Sequence, residues 1–190
     1  MAICLNTKSA YSIFQMLAHD TFFVDKSDIL EKLSTRINTP NRYICITKPR
    51  RFGKTSVLNM LGAYYCRTYD SKSLFDGLKI AKTAAYTAHL NKYNVVYLSM
   101  NSLPDDGNAY EDYMNLFKNA IRRDMLEAYP QLKEQEFNSL SELFTATDNQ
   151  FIFLIDEWDY IFSHELYPEH HGDFLEFLRN LLKDKPYVAL

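Results

Sequence analysis

A chain of 190 residues, of which 47% are apolar and 15% aromatic, is long enough to bury one substantial core and excludes a disordered protein. Its formal net charge of −3 excludes a protein whose whole surface binds nucleic acid, so direct nucleic-acid binding is not indicated. Because the three cysteines form no C-x-x-C pair and no stretch is long enough to cross a bilayer, we expect a cytoplasmic protein with no membrane contact, disulfide framework or zinc site.

The first predicted helix lies near the N-terminus. Residues 1–24 carry scattered apolar side chains without a sustained period, which predicts a loop with one helical turn in it. Apolar side chains then recur three or four residues apart behind Ser27, a residue suited to cap a helix, and predict a helix over residues 28–37. We therefore separate a lead-in segment, residues 1–38, from a core, residues 39–190.

The core opens with the stretch YICITKPRRFGKTSVLNMLGAYY, residues 43–65. Its β-branched and aromatic start predicts a buried strand over residues 43–47, and its second half predicts a helix with one apolar face. Between them, Gly53 allows the backbone to wrap a phosphate group, and the Lys54 ammonium can reach β- and γ-phosphates. The Thr55 hydroxyl can ligate magnesium at the positive end of the helix.

This loop departs from the phosphate-binding pattern G-x-x-x-x-G-K-[ST] at its first position, where Lys48 replaces glycine. Four cations within seven residues nevertheless create a local positive field that suits a polyphosphate. The alternative is a solvated basic turn, which would be favoured if no helix followed. The candidate nucleotide-binding residues are Lys48, Pro49, Arg50, Arg51, Phe52, Gly53, Lys54, Thr55 and Ser56.

The elements after residue 66 are predicted from apolar periodicity and turn signals. They are, in order, short helical pieces over 73–75 and 81–90, a buried strand over 94–100, a helix over 110–128, a short helix after Ser139, a buried strand over 151–155, a helix over 173–183 and a strand that begins at Tyr187. Continuously apolar strands that alternate with helices predict an α/β fold with a parallel sheet.

Two adjacent carboxylates follow the strand FIFLI. Ligands of open α/β sheets bind at the carboxyl ends of the strands, where Asp156 could hold magnesium and Glu157 could orient and deprotonate an attacking water. The alternative is a charged pair at the start of a helix, where acidic residues are common. The basic loop earlier in the chain favours the first interpretation.

Five stretches together resemble a known family, and they span most of the chain: FVDKSDILEKL, NRYICITKPRRFGKTSVLNMLGAYY, SLFDGLKIAK, NKYNVVYLSM and FIFLIDEWDYIF. They are similar to the AAA-ATPase-like family of bacteria and archaea, whose loop is spelled P-R-R-F-G-K-[ST] with a basic residue in place of the first glycine. Family members often carry a C-terminal nuclease-like domain of the restriction-endonuclease superfamily.

The resemblance implies an additional-strand P-loop NTPase fold, a three-layer α/β/α arrangement around a parallel sheet. It implies ATP and Mg²⁺ as cofactors, Lys54 and Glu157 as catalytic residues of ATP hydrolysis, and Thr55 and Asp156 as magnesium ligands. The family also has two arginines at Arg50 and Arg51. A planar guanidinium suits either a γ-phosphate or a nearby carboxylate that anchors the loop, so both roles stay open.

Compared with the family, the chain stops within a strand, so we expect a truncated domain whose sheet is incomplete at the C-terminus. The implied partners are ATP and either a second copy or the nuclease-like domain. Two functions follow: an ATPase when the full domain is present, or a nucleotide-dependent binding or switch module without useful turnover. A small-molecule kinase is disfavoured because Glu157 suits water activation better than acceptor positioning.

Overall fold

The protein, seen here in a computed structural model, is an α/β chain of helices around a short parallel sheet. The residues that the structure describes are 2–47, 49, 51–105 and 109–190. Their helices, in chain order, are α1 (Lys8–Ala18), α2 (Asp28–Ser34), α3 (Lys54–Tyr65), α4 (Lys72–Phe75), α5 (Ala84–His89), α6 (Tyr110–Ala128), α7 (Leu140–Ala146), α8 (Tyr160–Ser163) and α9 (His171–Leu182). Turns of 3-10 helix lie at Lys79–Lys82, Pro130–Leu132 and Pro168–His170.

The sheet of the described residues consists of β1 (Asn94–Ser99) and β2 (Phe151–Asp156). The two strands pair in parallel along their whole length, which places Ser99 opposite Asp156. The sequence predicted both strands to within one residue. Their carboxyl ends therefore meet at one edge of the sheet, as a ligand site at that edge requires.

Each face of the sheet carries its own apolar core, because successive strand side chains point to opposite faces. Val95 packs into a core with side chains of α1, α2 and α3, whereas Val96 packs into a core with side chains of α6, α7 and α9. Helices therefore cover both faces, which explains why the strands read as continuous apolar runs.

The prediction of a strand over residues 43–47 is wrong. These residues are all described and form no strand, and Tyr43, Ile44 and Ile46 are 45%, 44% and 37% exposed. A strand needs a hydrogen-bonded neighbour, and among the described residues no backbone bond pairs this run with another strand. These residues are apolar and β-branched, as a strand would be, but composition alone does not supply a neighbouring strand to pair with.

The strand predicted to begin at Tyr187 is reduced to one bridge, between Phe151 and Val188. Backbone hydrogen bonds do run from the end of the chain to β2: the Phe151 N–H donates to the Tyr187 carbonyl at 2.7 Å, and the Phe153 N–H donates to the Leu190 carbonyl at 2.9 Å. The last residues thus lie beside β2 in the direction that a parallel strand would take.

The N-terminal prediction is right about a helical piece around residues 11–18, which lies within α1, but it underestimates the order of residues 2–24. Leu5 makes an antiparallel bridge with Val96, so the residues around it lie along the outer edge of β1. The Thr7 hydroxyl then accepts the Ser9 N–H at 3.3 Å and caps α1, whose Ala10 side chain is buried. The stretch has no single apolar periodicity because it contains a strand-like piece around Leu5 and then helix α1, which have different periods.

Helix α3 is buried more completely than its predicted single apolar face implies. Every residue from Asn59 to Tyr65 is buried, because the sheet covers one side of the helix and α1 covers the other. The lead-in segment thus contributes Phe14 and Leu30 to the same core as Met60. The boundary between residues 1–38 and 39–190 stays a prediction.

We expect Gly62→Ala to destabilise the protein, because Gly62 of α3 packs directly against Ala10 of α1. A Cβ added at Gly62 would lie 2.6 Å from the Cβ of Ala10 and 3.7 Å from Cδ1 of Leu154. Overpacking of this kind costs about 1–3 kcal/mol, of which alanine's better helix propensity offsets up to ~1 kcal/mol. Chemical denaturation should show a net loss in the free energy of unfolding.

The double variant Gly62→Ala with Ala10→Gly provides the control. It should be less destabilised than the sum of the single variants, by a coupling energy of about 1 kcal/mol, since removing one methyl group makes room for the other. Strictly additive effects would contradict a steric clash between these two positions.

Within the described part of the chain, no helix has both the length and the apolar character needed to cross a membrane.

Candidate functional site

The first component of the site is the turn that leads into α3. Gly53 adopts a left-handed conformation with φ of 77°, and α3 begins at the next residue, Lys54. A Cβ at position 53 would also lie 3.3 Å from Nζ of Lys26. The backbone angle favours glycine here, and the Lys26 side chain would have to shift slightly for any larger residue. The N-terminus of a helix favours an anion, because the positive end of the helix dipole lies there.

The second component is the end of β2. Asp156 is buried, with 5% of its surface exposed, and its Oδ1 accepts the Glu157 N–H at 3.1 Å. Glu157 is exposed and adopts a left-handed φ of 49°, a conformation that costs a non-glycine residue about 1–2 kcal/mol. This turn takes the chain off the strand axis and leaves the Glu157 carboxylate at the edge of the sheet.

Tyr97 of β1 supports the buried Asp156 side chain. Burial first, and then the negative charge of Asp156 and a hydrogen bond to it, raise the pKa of Tyr97. The phenol of Tyr97 therefore stays protonated next to the Asp156 carboxylate. The sequence reasoning missed Tyr97, although alternation along β1 places it on the same face as Ser99, which pairs with Asp156.

These components meet around one cavity of about 660 Å³. Its lining comes from the loop and the first turn of α3 on one side, and from the end of β2 and the residues after it on the other. The lining residues are Arg51, Gly53, Lys54, Thr55, Ser56, Asp156, Glu157, Asp159, Tyr160, Ser163 and His164. Residues that are far apart in the sequence are thus brought together at the carboxyl edge of the sheet.

Two of the predicted nucleotide-binding residues, Pro49 and Phe52, are described but do not line this cavity. Lys48 and Arg50 lie outside the described residues. Pro49 contributes its carbonyl, which accepts a hydrogen bond from Lys54 Nζ at 3.4 Å, and Phe52 is 62% exposed. Pro49 therefore contributes to the shape of the loop, and neither Pro49 nor Phe52 forms part of the cavity wall.

Arg51 does line the cavity, and it too has a left-handed φ, of 68°. Among the described residues, the ion pairs within 4.0 Å do not include Arg51. Both roles that the sequence left open for Arg51, contact with a γ-phosphate and an anchor to a carboxylate, stay predictions.

The charges of the cavity are divided between its two sides. Arg51 and Lys54 are on the loop side, whereas Asp156, Glu157 and Asp159 are on the strand side. This division suits an anion that lies against the loop. A cation could then lie between that anion and the carboxylates. A nucleoside triphosphate with a divalent cation has this distribution of charge.

The oxygen atoms of Thr55 and Asp156 fit magnesium, which prefers hydroxyl, carboxylate, phosphate and water oxygens. Across residues 2–47, 49, 51–105 and 109–190, no three His, Cys, Asp or Glu side chains gather into a metal cluster. Magnesium that arrives with a triphosphate needs only one or two protein ligands, since phosphate and water oxygens complete its shell. The two residues present are therefore a suitable set for Mg²⁺ and not for a metal held by protein alone.

A family model described as Predicted AAA-ATPase matches residues 10–185, a span that includes the loop and both carboxylates. The chain belongs to the AAA-ATPase-like family. The resemblance read from the five stretches of sequence is confirmed. Neither the curated proteins nor the solved structures produced a match to this chain.

Helix α8 adds residues to the site of this AAA-ATPase-like chain that the sequence reasoning missed. Tyr160, Ser163 and His164 line the cavity, and the rings of Tyr160 and His164 lie with their centroids 4.1 Å apart. The spacing of three and four residues places them on one helical face directly after the acidic pair. That periodicity is the signal that could have identified them, since a helix that starts at a strand end presents one face to the ligand site.

Proposed function

We propose that this chain binds ATP together with Mg²⁺ in the 660 Å³ cavity and hydrolyses ATP to ADP and phosphate. The observation that carries the proposal is that one cavity joins the loop at residues 53–56 to Asp156 and Glu157. The family to which the chain belongs, named for a predicted ATPase activity, supports it.

The loop side of the cavity would hold the phosphates. Backbone N–H groups at the start of α3, together with the positive end of its dipole, would bind phosphate oxygens. The Lys54 ammonium would contact the β- and γ-phosphates, and the Arg51 guanidinium would contact the terminal phosphate. Gly53 would let the backbone approach the phosphates closely.

The strand side would hold the ion and the water. Thr55 and Asp156 are the residues suited to hold Mg²⁺, which when bound neutralises the charge of the phosphate oxygens. Glu157 would accept a proton from the water as the water oxygen attacks the γ-phosphorus. The bond between that phosphorus and the β–γ bridging oxygen would then break and release ADP. Tyr97 would keep the Asp156 carboxylate oriented.

The finer fold is part of this proposal. Apolar cores on both faces of a parallel sheet support a three-layer P-loop arrangement of the additional-strand class. A second copy of the chain or a nuclease-like domain as a partner stays a prediction from the family resemblance. A cytoplasmic location stays a prediction from the cysteines and the sequence pattern.

A nucleotide-dependent switch is the second candidate, and the exposed run before the loop favours it. Tyr43, Ile44 and Ile46 are apolar, partly exposed and directly connected to the loop. A nucleotide that orders the loop would change how this run is presented to a partner. The output would then be partner binding rather than turnover.

We expect Glu157→Gln to retain ATP binding and to lose phosphate release by about 100-fold or more, because glutamine has no basic oxygen to accept the proton of the water. Phosphate release in the presence of Mg²⁺ measures turnover, and the rise in melting temperature with Mg-ATP measures binding. Glu134→Gln, at an exposed position outside the cavity, is the matched control and should leave both unchanged.

These two measurements separate the candidate functions. ATP binding with phosphate release that depends on Glu157 supports the ATPase. ATP binding with no phosphate release from the unaltered chain supports the switch. A melting temperature that does not rise with saturating Mg-ATP contradicts both, since a ligand at 100 times its Kd adds about 2.7 kcal/mol of stability.

A further inference from the structure

The end of helix α8 is connected directly to the acidic pair. The Tyr160 N–H donates to the Glu157 carbonyl at 2.9 Å, and the His164 N–H donates to the Tyr160 carbonyl at 3.1 Å. Two consecutive backbone hydrogen bonds thus connect His164 to Glu157, and both residues line the 660 Å³ cavity. His164 therefore lies on the strand side of the cavity, opposite the loop that holds the phosphates in the proposed function.

We propose that His164 is a second acceptor for the water that attacks the γ-phosphate. One O–H group of that water would donate to Glu157 and the other to Nε2 of His164, so that a lone pair of the water oxygen faces the γ-phosphorus. The proton moves to Glu157 as in the proposed function, and His164 neither gains nor loses one. This inference rests on the proposed function, because the water acts only in hydrolysis, and it adds a residue to that reaction.

The hydrogen bonds of the imidazole fix which ring nitrogen carries the proton. Nδ1 of His164 lies 3.0 Å from the Tyr160 carbonyl oxygen and 3.1 Å from Oγ of Ser163. A carbonyl oxygen only accepts, and the Ser163 hydroxyl donates its own hydrogen to the same carbonyl at 3.2 Å. Nδ1 must therefore be the donor, which leaves Nε2 of the neutral ring with a lone pair that can accept.

Nε2 is the ring nitrogen that is open to a ligand. Within the described part of the chain, the hydrogen bonds of the His164 side chain all involve Nδ1, and the residue is exposed. The ring is also held by its contact with the Tyr160 ring, whose centroid lies 4.1 Å away. An acceptor that is already held in place loses little conformational entropy when it binds a water.

A neutral acceptor suits this position better than a further carboxylate. The strand side of the cavity already carries Asp156, Glu157 and Asp159, and the terminal phosphate of ATP is itself anionic. A carboxylate beside that phosphate would repel it, whereas a neutral imidazole accepts a hydrogen bond without a net charge. As the partner of Glu157 in holding the water, His164 is therefore better suited than Asp159.

Another histidine shows which part of this arrangement is ordinary helix capping. Nδ1 of His19 lies 2.7 Å from the Gln15 carbonyl oxygen at the end of α1. Histidines at the C-terminus of a helix often bond to its last carbonyl groups, so this bond alone indicates no function. What distinguishes His164 is that it lines the cavity with Glu157, which His19 does not. His19 is also exposed and therefore provides the matched control.

The first test is phosphate release from Mg-ATP by His164→Ala. We expect kcat to fall about tenfold, a loss typical of one hydrogen bond, with KM unchanged because Nε2 contacts the water and not the nucleotide. Imidazole added to the solution should restore much of the rate, since the position is exposed and a free ring can occupy it. His164→Gln keeps an acceptor on the side chain and should lose less. His19→Ala should leave kcat and KM unchanged.

The second test needs no turnover. ¹⁵N NMR of the neutral rings should show the proton of His164 at Nδ1 and a lone pair at Nε2 in the nucleotide-free chain. A non-hydrolysable ATP analogue with Mg²⁺ should shift the Nε2 resonance of His164, because the water then donates to it, and should leave that of His19 in place. A neutral His164 ring with its proton at Nε2 would overturn the proposal, and so would an Nε2 resonance that the bound analogue does not shift.

The outcomes also separate this proposal from the ATPase activity itself. If the unaltered chain releases no phosphate, the ATPase and the role of His164 are both overturned. If the unaltered chain releases phosphate and His164→Ala has the same kcat, the ATPase stands and the role of His164 is overturned. A fall in kcat that neither imidazole nor glutamine restores would indicate a structural residue and would overturn the role as well.

Discussion

Lys54→Ala should weaken the binding of Mg-ATP by about 100-fold, the largest effect on binding that we expect from a single substitution in this chain. Hydrogen bonds to charged groups contribute about 1.5–3 kcal/mol each, and the Lys54 ammonium is placed to contact two phosphates. Its position follows from local structure, because Lys54 is the first residue of α3 and borders the cavity.

The measurement is the Kd for Mg-ATP together with the ligand-induced rise in melting temperature. Saturation at 100 times the Kd would add about 2.7 kcal/mol to the stability of the unaltered chain, and a 100-fold loss of affinity would reduce this increment to about 0.4 kcal/mol. Lys133→Ala removes a cation from an exposed position outside the cavity and should behave like the unaltered chain. An unchanged Kd in Lys54→Ala would refute the assignment of the loop as a phosphate site.

Asp124→Ala should lower the free energy of unfolding by about 3–5 kcal/mol, because each unsatisfied buried donor costs about 1–3 kcal/mol. Asp124 is 2% exposed, and its Oδ2 accepts the N–H groups of Ile3, Cys4 and Leu5 at 2.7, 2.6 and 3.1 Å. Alanine would leave these buried donors without an acceptor, and each unsatisfied donor is costly.

The same carboxylate acts on the neighbouring thiol. Burial first, and then the charge of Asp124 and a hydrogen bond to it, raise the pKa of Cys4 to about 12. Because Asp124 holds the N-terminal residues along the edge of β1, its loss should also expose Cys4 to thiol reagents. Cys45, which is already exposed, provides the reference rate in the unaltered chain.

Denaturant titration of Asp124→Ala and Asp124→Asn separates acceptor loss from charge loss. Asparagine keeps one oxygen that can accept, so Asp124→Asn should be less destabilised than Asp124→Ala. Equal stability of the two variants would mean that charge, and not the hydrogen bonds to residues 3–5, accounts for the effect. Stability equal to that of the unaltered chain in both would contradict the anchoring role.

Much of the fold could be predicted from the sequence because it depends on local patterns. The runs NVVYLS and FIFLID form strands because a continuous apolar run can be buried on both faces, and the order of loop and acidic pair indicated a site at one sheet edge. Gly53 could be identified as well, since a left-handed turn before a helix strongly favours glycine.

The N-terminal residues illustrate what a local pattern does not contain. Ile3, Cys4 and Leu5 have no recognisable period, and their order depends on Asp124, a residue distant in the chain whose burial in α6 was not evident. His164 is a similar case, since its place in one cavity with the loop depends on how distant parts of the chain pack. Neither position could be assigned before the helices were placed.

The sequence by itself determined the family, the two paired strands, most of the helices and the chemical types of residue around the site, because each depends on residue identity and short spacing. Only the tertiary structure decided which of these residues share a cavity. It brought Arg51, α8 and His164 into the site and left residues 43–47 without a strand partner. The physical reason is that strand pairing, burial and cavity formation require neighbours from distant parts of the chain, which no local pattern specifies.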